Sequence, residues 1–188
     1  MGQPQAGHLP CRWPCPALSA QNKVRGVLRR SPGSGNKAAR LVELFWLCSG
    51  QRDPRRDWGF ENWKNLLQSI AIYYPSLKII IIGTKKEYMR AKKLKKIKPR
   101  NIVNLCDKTN IKELIEIINK SKFHISHDDG TMHVASIFNK KSIAIFSTLT
   151  EKFSWFPDNK NLNTFYPRIS VKETKPNLVM KKFKARLN

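Results

Sequence analysis

The sequence predicts an α/β fold built on a parallel sheet with helices on both faces, and three observations carry that expectation. Short apolar runs alternate along the chain with longer segments whose apolar residues recur at helical spacing. One run, KIIII at residues 78–82, is apolar almost throughout, as a strand covered on both faces must be. The stretch FHISHDDGTMHVA, residues 123–135, passes from a strand pattern through two carboxylates and a glycine into a helical one. Strands alternating with helices at this spacing imply right-handed crossovers and a ligand crevice at the carboxyl ends of the strands.

Each element follows from its own residues. LVELFWL at 41–47 reads as a buried strand, and the polar loop SGQRDPRRDWG follows it. Phe60, Trp63, Leu66, Leu67, Ile70 and Tyr74 then share one helical face, which ends before Pro75. The strand at 78–82 stops at Gly83. Residues 87–97 read as a helix with a very basic outer face, and 102–105 as a short strand. Ile111, Leu114, Ile115 and Ile118 mark the next helix, supported by Glu116 and Lys120 at i,i+4. Residues 123–126 and 142–146 supply two more strands around a helix that begins near Thr131, with Val134 and Ile137 expected to pack inward. Three loops fall on the carboxyl edge: 49–58, 83–87 and 128–133.

The last of these loops carries the most chemistry. Gly130 lets the chain turn after the strand, and Asp128 or Asp129 sits where a cap satisfies the orphan N–H groups of the helix. The same N–H groups, with the positive end of the helix dipole, would hold a pyrophosphate. His133 is placed to donate to a phosphate oxygen and an adjacent Asp to accept from a sugar hydroxyl. The plainer alternative is a capped helix with a partly buried His133.

Composition bounds the remainder. The 188 residues suffice for one domain with a sizeable core, plus an extra segment. Residues 1–57 carry eight Arg, two Lys and no Ile, whereas the rest carries 22 Lys and four Arg with abundant Ile. That break suggests a disordered or unrelated leader over residues 1–38, lacking any periodic apolar face, before a domain at 39–168 and a basic tail or helix at 169–188. The net charge of +23 raises nucleic acid or an anionic membrane surface as partners. Lysines 92, 93, 95, 96 and 98 read as a solvated helix face, and aromatics are not interleaved with the cations for stacking, so nucleic acid is disfavoured. A weak attraction to the anionic inner face of a membrane fits better. Cys11, Cys15, Cys48 and Cys106 show no metal-ligand spacing and read as reduced thiols. No apolar run is long enough for a membrane span or signal peptide, so a cytoplasmic location is expected.

These motifs, in this order, resemble the C-terminal, nucleotide-sugar-binding half of glycosyltransferase family 9, the ADP-heptose:lipopolysaccharide heptosyltransferases, whose fold is GT-B with Rossmann-like halves. RDWGFENW matches the family's basic residue two before Trp and the aromatic on the following helix, placing Arg56, Trp58 and Trp63, with Arg where Lys is usual. IIIIGTKKEYMRAKKL matches its buried strand closing in Gly with a Glu beyond, placing Gly83 and Glu87. DKTNIKELIEII resembles its polar turn before a helix, placing Thr109. Its most specific motif, D-S/T-G-x-x-H-x-A, fits Asp128, Asp129, Gly130, Thr131, Met132, His133, Val134 and Ala135. The resemblance covers residues 41–166.

The resemblance implies a site for the ADP part of an ADP-sugar, bound as substrate, with no cofactor and no metal. Thr109 would lie by the adenine through its backbone, Glu87 by the ribose, and Gly130, Thr131 and His133 around the diphosphate, with Asp128 toward the sugar; Asp129 and Met132 count with them as substrate-binding. Arg56 would offset charge on the leaving diphosphate. The acceptor would be a lipopolysaccharide core. One departure is the turn after the last strand, Phe146, Ser147, Thr148, Leu149, where the family has Phe-Gly-Pro-Thr. A second is that residues 1–40 cannot replace the family's acceptor-binding domain and its catalytic Asp, so the expectation is a truncated or chimeric protein, inactive alone. Two rivals have other signatures. A basic module would bind polyanions with steep salt dependence, and a dinucleotide-dependent oxidoreductase would need three glycines where SGQRDPRR has one.

Overall fold

The computed structural model describes residues 42–46, 54–98, 100–149, 157 and 159–187. Among the described residues six strands form one sheet: β1 (Val42–Trp46), β2 (Lys78–Ile82), β3 (Ile102–Asn104), β4 (Phe123–His127), β5 (Lys141–Ile145) and β6 (Leu162–Phe165). Five helices connect or follow them: α1 (Phe60–Tyr73), α2 (Tyr88–Lys95), α3 (Ile111–Lys120), α4 (Gly130–Ile137) and α5 (Pro176–Leu187). Short 3₁₀ turns occupy Pro54–Arg56, Lys85–Glu87 and Val171–Glu173. The strand order is β3-β2-β1-β4-β5-β6 and every pairing is parallel, with Val42 opposite Lys78, Glu43 opposite Phe123, and Ser142 opposite Leu162. Strand order reverses between β1 and β4, so the crevice expected of such a sheet opens above the carboxyl ends of those two strands.

Side chains alternate between two apolar layers, as the pleat requires. Ile79, Ile81, Phe123, Ile125, Ile143 and Ile145 face a core completed by Trp63, Leu66, Leu67 and Ile70 of α1, Ala91 and Leu94 of α2, and Val179, Met180 and Phe183 of α5. On the opposite face Ile80 and Ile82 meet Ile117 and Ile118 of α3 and Ala135 of α4. Capping defines where the helices start. Asn110 accepts from the Glu113 N–H at 2.9 Å while the Glu113 carboxylate accepts from the Asn110 N–H at 2.9 Å, a reciprocal box at the start of α3.

Several expectations need correction. Ile137 lies on the outer face of α4 and is 79 % exposed, because Thr131, Met132 and Ala135 define the buried stripe of this eight-residue helix. Ile111 is also outside, in the first turn of α3. Helix α2 begins at Tyr88, one residue past a 3₁₀ turn that contains Glu87. Strand β6 lies within a stretch with no evident strand pattern, since LNTF is short and half polar. The basic segment after residue 168 holds a 3₁₀ turn and then α5, which is part of the main core: Phe183 is fully buried, with its ring edge-on to Phe123 at 4.9 Å and to Tyr74 at 5.6 Å. The leader at 1–38, with Cys11 and Cys15, lies outside the described residues, as does Cys48.

Candidate functional site

The loop after β1 is anchored to the end of β4. Trp58 is fully buried; its backbone N–H donates to His127 Nε2 at 3.2 Å and its indole N–H to the Thr174 carbonyl at 2.6 Å. Trp63 stands edge-on to both Trp58, at 4.8 Å, and His127, at 5.5 Å. Asp57 accepts from the Gly59 N–H at 2.9 Å and pairs with Arg90 of α2 at 2.9 Å, and Gly59 takes φ 97°, a conformation that favours glycine. Arg56 is exposed, two residues before the anchored Trp58, while Asp128 follows His127 directly. One hydrogen bond thus links the segment carrying the candidate diphosphate cation to the segment carrying the candidate sugar acceptor. Arg90 was not singled out from sequence; its signal is that it is one of four Arg among 22 Lys after residue 57.

At the start of α4, Asp129 is the N-cap: Oδ1 accepts from the Thr131 N–H at 2.8 Å and from the Thr131 hydroxyl at 2.6 Å. That hydroxyl has one proton, which Asp129 receives, so the 3.1 Å contact from His124 Nε2 is an N–H donated to Thr131 Oγ1. His124 is therefore the neutral Nε2–H tautomer, buried within β4, and its bare Nδ1 has no hydrogen-bond partner. Burial holds its pKa down at about 3. Asp129 Oδ2 is likewise buried without a partner, and desolvation pushes its carboxyl up to about 7 against the lowering effect of the Thr131 and Met132 hydrogen bonds. Gly130 is exposed and a Cβ there would meet nothing within 4 Å, so the space over the helix N-terminus is open. Half-buried Asp128 and His133 border it.

The remaining candidates sit on the neighbouring loops. Glu87 is buried, with Oε2 accepting from the Thr84 N–H at 2.7 Å and the Thr84 hydroxyl at 2.5 Å, so its carboxylate also shapes the turn after β2. Gly83 is needed there because a Cβ would stand 3.0 Å from Glu87 Cβ and 3.1 Å from Cys106 Sγ. Burial and the Glu87 charge push the Cys106 thiol up to about 12, which leaves it protonated and unreactive at neutral pH. The Asp107 N–H donates to the Gly83 carbonyl at 2.9 Å, joining this turn to the loop that carries Thr109, which is half-buried. Arg56, Glu87, Thr109 and the segment 128–133 all stand at the carboxyl ends of their strands. Two residues of that segment need separating from the others. Met132 is a core residue, fully buried with Ala144, Phe146 and Leu162, and the Thr131 hydroxyl is committed to the buried network. In the departing turn after β5, Ser147 is buried and its hydroxyl accepts from the Leu149 N–H at 3.3 Å.

Comparison with known proteins bears on the family and the fold. Residues 20–183 match Glycosyltransferase family 9 (heptosyltransferase). A lipooligosaccharide heptosyltransferase 2 of Campylobacter jejuni subsp. jejuni serotype O:2 is 36 % identical over 70 residues, 35 % of this chain and 22 % of that protein. The Escherichia coli ADP-heptose lps heptosyltransferase II superposes with TM-score 0.72 at 15 % identity, over 91 % of this chain and 52 % of that one. E. coli heptosyltransferase WaaC with ADP-2-deoxy-2-fluoro heptose gives TM-score 0.67 at 21 % identity, over 86 % and 47 %. The chain thus spans about half the length of these solved structures and 22 % of the curated relative. The parallel sheet with helices on both faces is a Rossmann-like half of the GT-B fold. By the match over residues 20–183 and the shared fold, the chain belongs to glycosyltransferase family 9, the heptosyltransferase family.

Proposed function

We propose that this chain is the donor-binding half of a heptosyltransferase and takes the ADP part of an ADP-linked sugar. The observation that carries the reading is the open N-terminus of α4 at the strand-order switch, with Gly130 leaving its approach clear and Asp128 and His133 beside it. A diphosphate there gains from the helix dipole and from backbone N–H donors. Gly130 and His133 hold the diphosphate in this reading, Thr131 and Met132 contribute through the backbone, and Asp128 accepts from sugar hydroxyls. Asp129 holds the helix start in place. Glu87 and Thr109 bracket ribose and adenine on the adjoining loops. Arg56 lies on the far wall and offsets charge as the diphosphate leaves. E. coli heptosyltransferase WaaC is known with ADP and with ADP-2-deoxy-2-fluoro heptose, which supports the choice of nucleotide. In the reaction so assigned, the sugar passes to a lipopolysaccharide core acceptor, and a cytoplasmic location accompanies it.

A glycosyl transfer needs donor and acceptor held across a cleft, a positioning effect of up to about 7–11 kcal/mol. These 188 residues by themselves are therefore expected to bind ADP and to transfer nothing measurable. Calorimetric titration with ADP tests the first part: saturable binding that His133→Ala weakens at least tenfold, and that changes little between low and high salt, supports the donor site. Binding shared by the variant and abolished by salt means that only bulk charge attracts the nucleotide. Turnover of ADP-heptose by the chain alone with a lipid A core acceptor would refute the second part.

A further inference from the structure

The sheet order places β1 between β2 and β4, so the segment that precedes α1 has a neighbouring loop on either side. Two adjacent residues tie it to both. The Trp58 N–H donates to His127, at the end of β4, at 3.2 Å. The Asp57 carboxylate meets the other neighbour, where Arg90 Nη1 donates to Oδ2 at 2.9 Å and Nη2 to Oδ1 at 3.4 Å, across 33 residues of chain. Oδ1 also accepts from the Gly59 N–H at 2.9 Å, so one carboxylate fixes the turn into α1 and docks that turn on α2.

Arg90 stands one helical turn beyond Glu87, in the first turn of α2. It is the only arginine of that helix, and its basic neighbours in sequence, Lys85, Lys86, Lys92, Lys93, Lys95 and Lys96, are all lysine. A lysine would bring the same charge as a single point, whereas a guanidinium engages both carboxylate oxygens and so fixes direction as well as distance. The Arg90 and Asp57 side chains remain 25 % and 22 % exposed, and an ion pair so open to water adds little to the stability of a fold. Its effect lies in placement. Without it the segment would pivot on the Trp58 hydrogen bonds, and Arg56, directly before Asp57, would shift relative to Glu87.

We infer that Arg90 is a positioning residue of the donor site: its fork on Asp57 holds the segment bearing Arg56 against the turn bearing Glu87, so that the contacts to diphosphate and ribose are set as one unit. The inference rests on the donor-site reading above and adds to it a residue that touches no part of the nucleotide.

Calorimetric titration of the full chain with ADP, at one ionic strength, compares the wild type with Arg90→Lys and Arg90→Gln. Arg90→Lys is the decisive variant, since it keeps the charge that attracts an anion and loses the contact with both oxygens. Each variant is expected to bind ADP about tenfold more weakly, the loss that follows when one charge-assisted contact is misplaced, with little change in melting temperature. Lys120→Gln, which breaks the exposed Glu116–Lys120 pair, is the control and is expected to bind like the wild type. In a double-mutant cycle, Arg56→Ala weakens the wild type by about tenfold but adds less than about twofold to Arg90→Gln. Hydrogen exchange of Arg90→Lys is expected to quicken at the amides of residues 57–59 and 84–87. Asp57→Asn keeps an acceptor for the Gly59 N–H and tests the pair from its other side if an Arg90 variant folds poorly. Arg90→Lys binding ADP like the wild type, additive effects of Arg56→Ala and Arg90→Gln, or unchanged exchange in both segments would each overturn the inference. A wild type that binds no ADP removes the donor-site reading and the inference together, whereas wild-type binding that the Arg90 variants share removes the inference alone.

Discussion

Two buried titratable groups of opposite sense lie within one hydrogen-bonded chain, His124–Thr131–Asp129, and their effects on stability oppose each other. His124 in the fold titrates at about 3 instead of 6.5, so below pH 6.5 the unfolded chain binds the extra proton and stability falls as pH falls. Asp129 titrates at about 7 instead of 3.8, so between those values the folded chain binds the extra proton and stability rises as pH falls. Between about pH 4 and 6.5 the two contributions offset. Asp129→Asn keeps the acceptor for Thr131 and removes the carboxyl titration, so this variant is expected to lose melting temperature steadily from pH 6.5 to 4.5. His124→Asn is expected to gain over the same range, relative to its own value at pH 7. Parallel pH slopes for the two variants in thermal unfolding would contradict the assigned burial.

At the scale of elements, the loop after β1 owes its position to Trp58, an aromatic held by two hydrogen bonds and an edge contact with Trp63. Trp58→Phe retains most of the apolar volume and leaves the Thr174 carbonyl without its indole donor, a loss of about 1–3 kcal/mol for a buried acceptor. Denaturant unfolding measures that loss directly. Because the same residue anchors the segment bearing Arg56, ADP affinity is expected to fall as well, whereas an effect on stability alone would separate Arg56 from the site. Most elements were legible because each has a single strong pattern: β2 is apolar after its first residue, α1 has five apolar residues on one face, and Gly130 follows a strand. Strand β6 was not, since its pairing with β5 comes from register and not from its own composition.

Among the described residues, α5 closes the core that α1 and the sheet leave open, so it is coupled to α1 and to the middle of the sheet. Phe183 meets Phe123 of β4 and Tyr74 beyond α1. Phe183→Ala is expected to destabilise the fold by about 3–5 kcal/mol, the range for a large aromatic removed from a packed core, and to do so in a single cooperative transition. A separate early transition would mean that α5 is an independent appendage. The placing of the lysines has the same global origin: no window of sequence distinguishes Lys96 from Lys85, and only the common direction of the parallel strands puts them at opposite ends.

The sequence by itself determined the fold class, the order of five strands and four helices, and the passage from strand to helix at 128–131, because apolar periodicity and turn chemistry are local properties. Tertiary structure alone decided which residues of the 128–133 segment are buried and which stay outside. It sent Met132 into the core with Phe146, committed Thr131 to His124 and Asp129, turned Ile137 outward, and brought the Trp58 N–H onto His127 across 69 residues of chain. Those outcomes depend on which surfaces the sheet leaves to be covered, and on buried polar groups finding partners far away in sequence, neither of which any local pattern encodes.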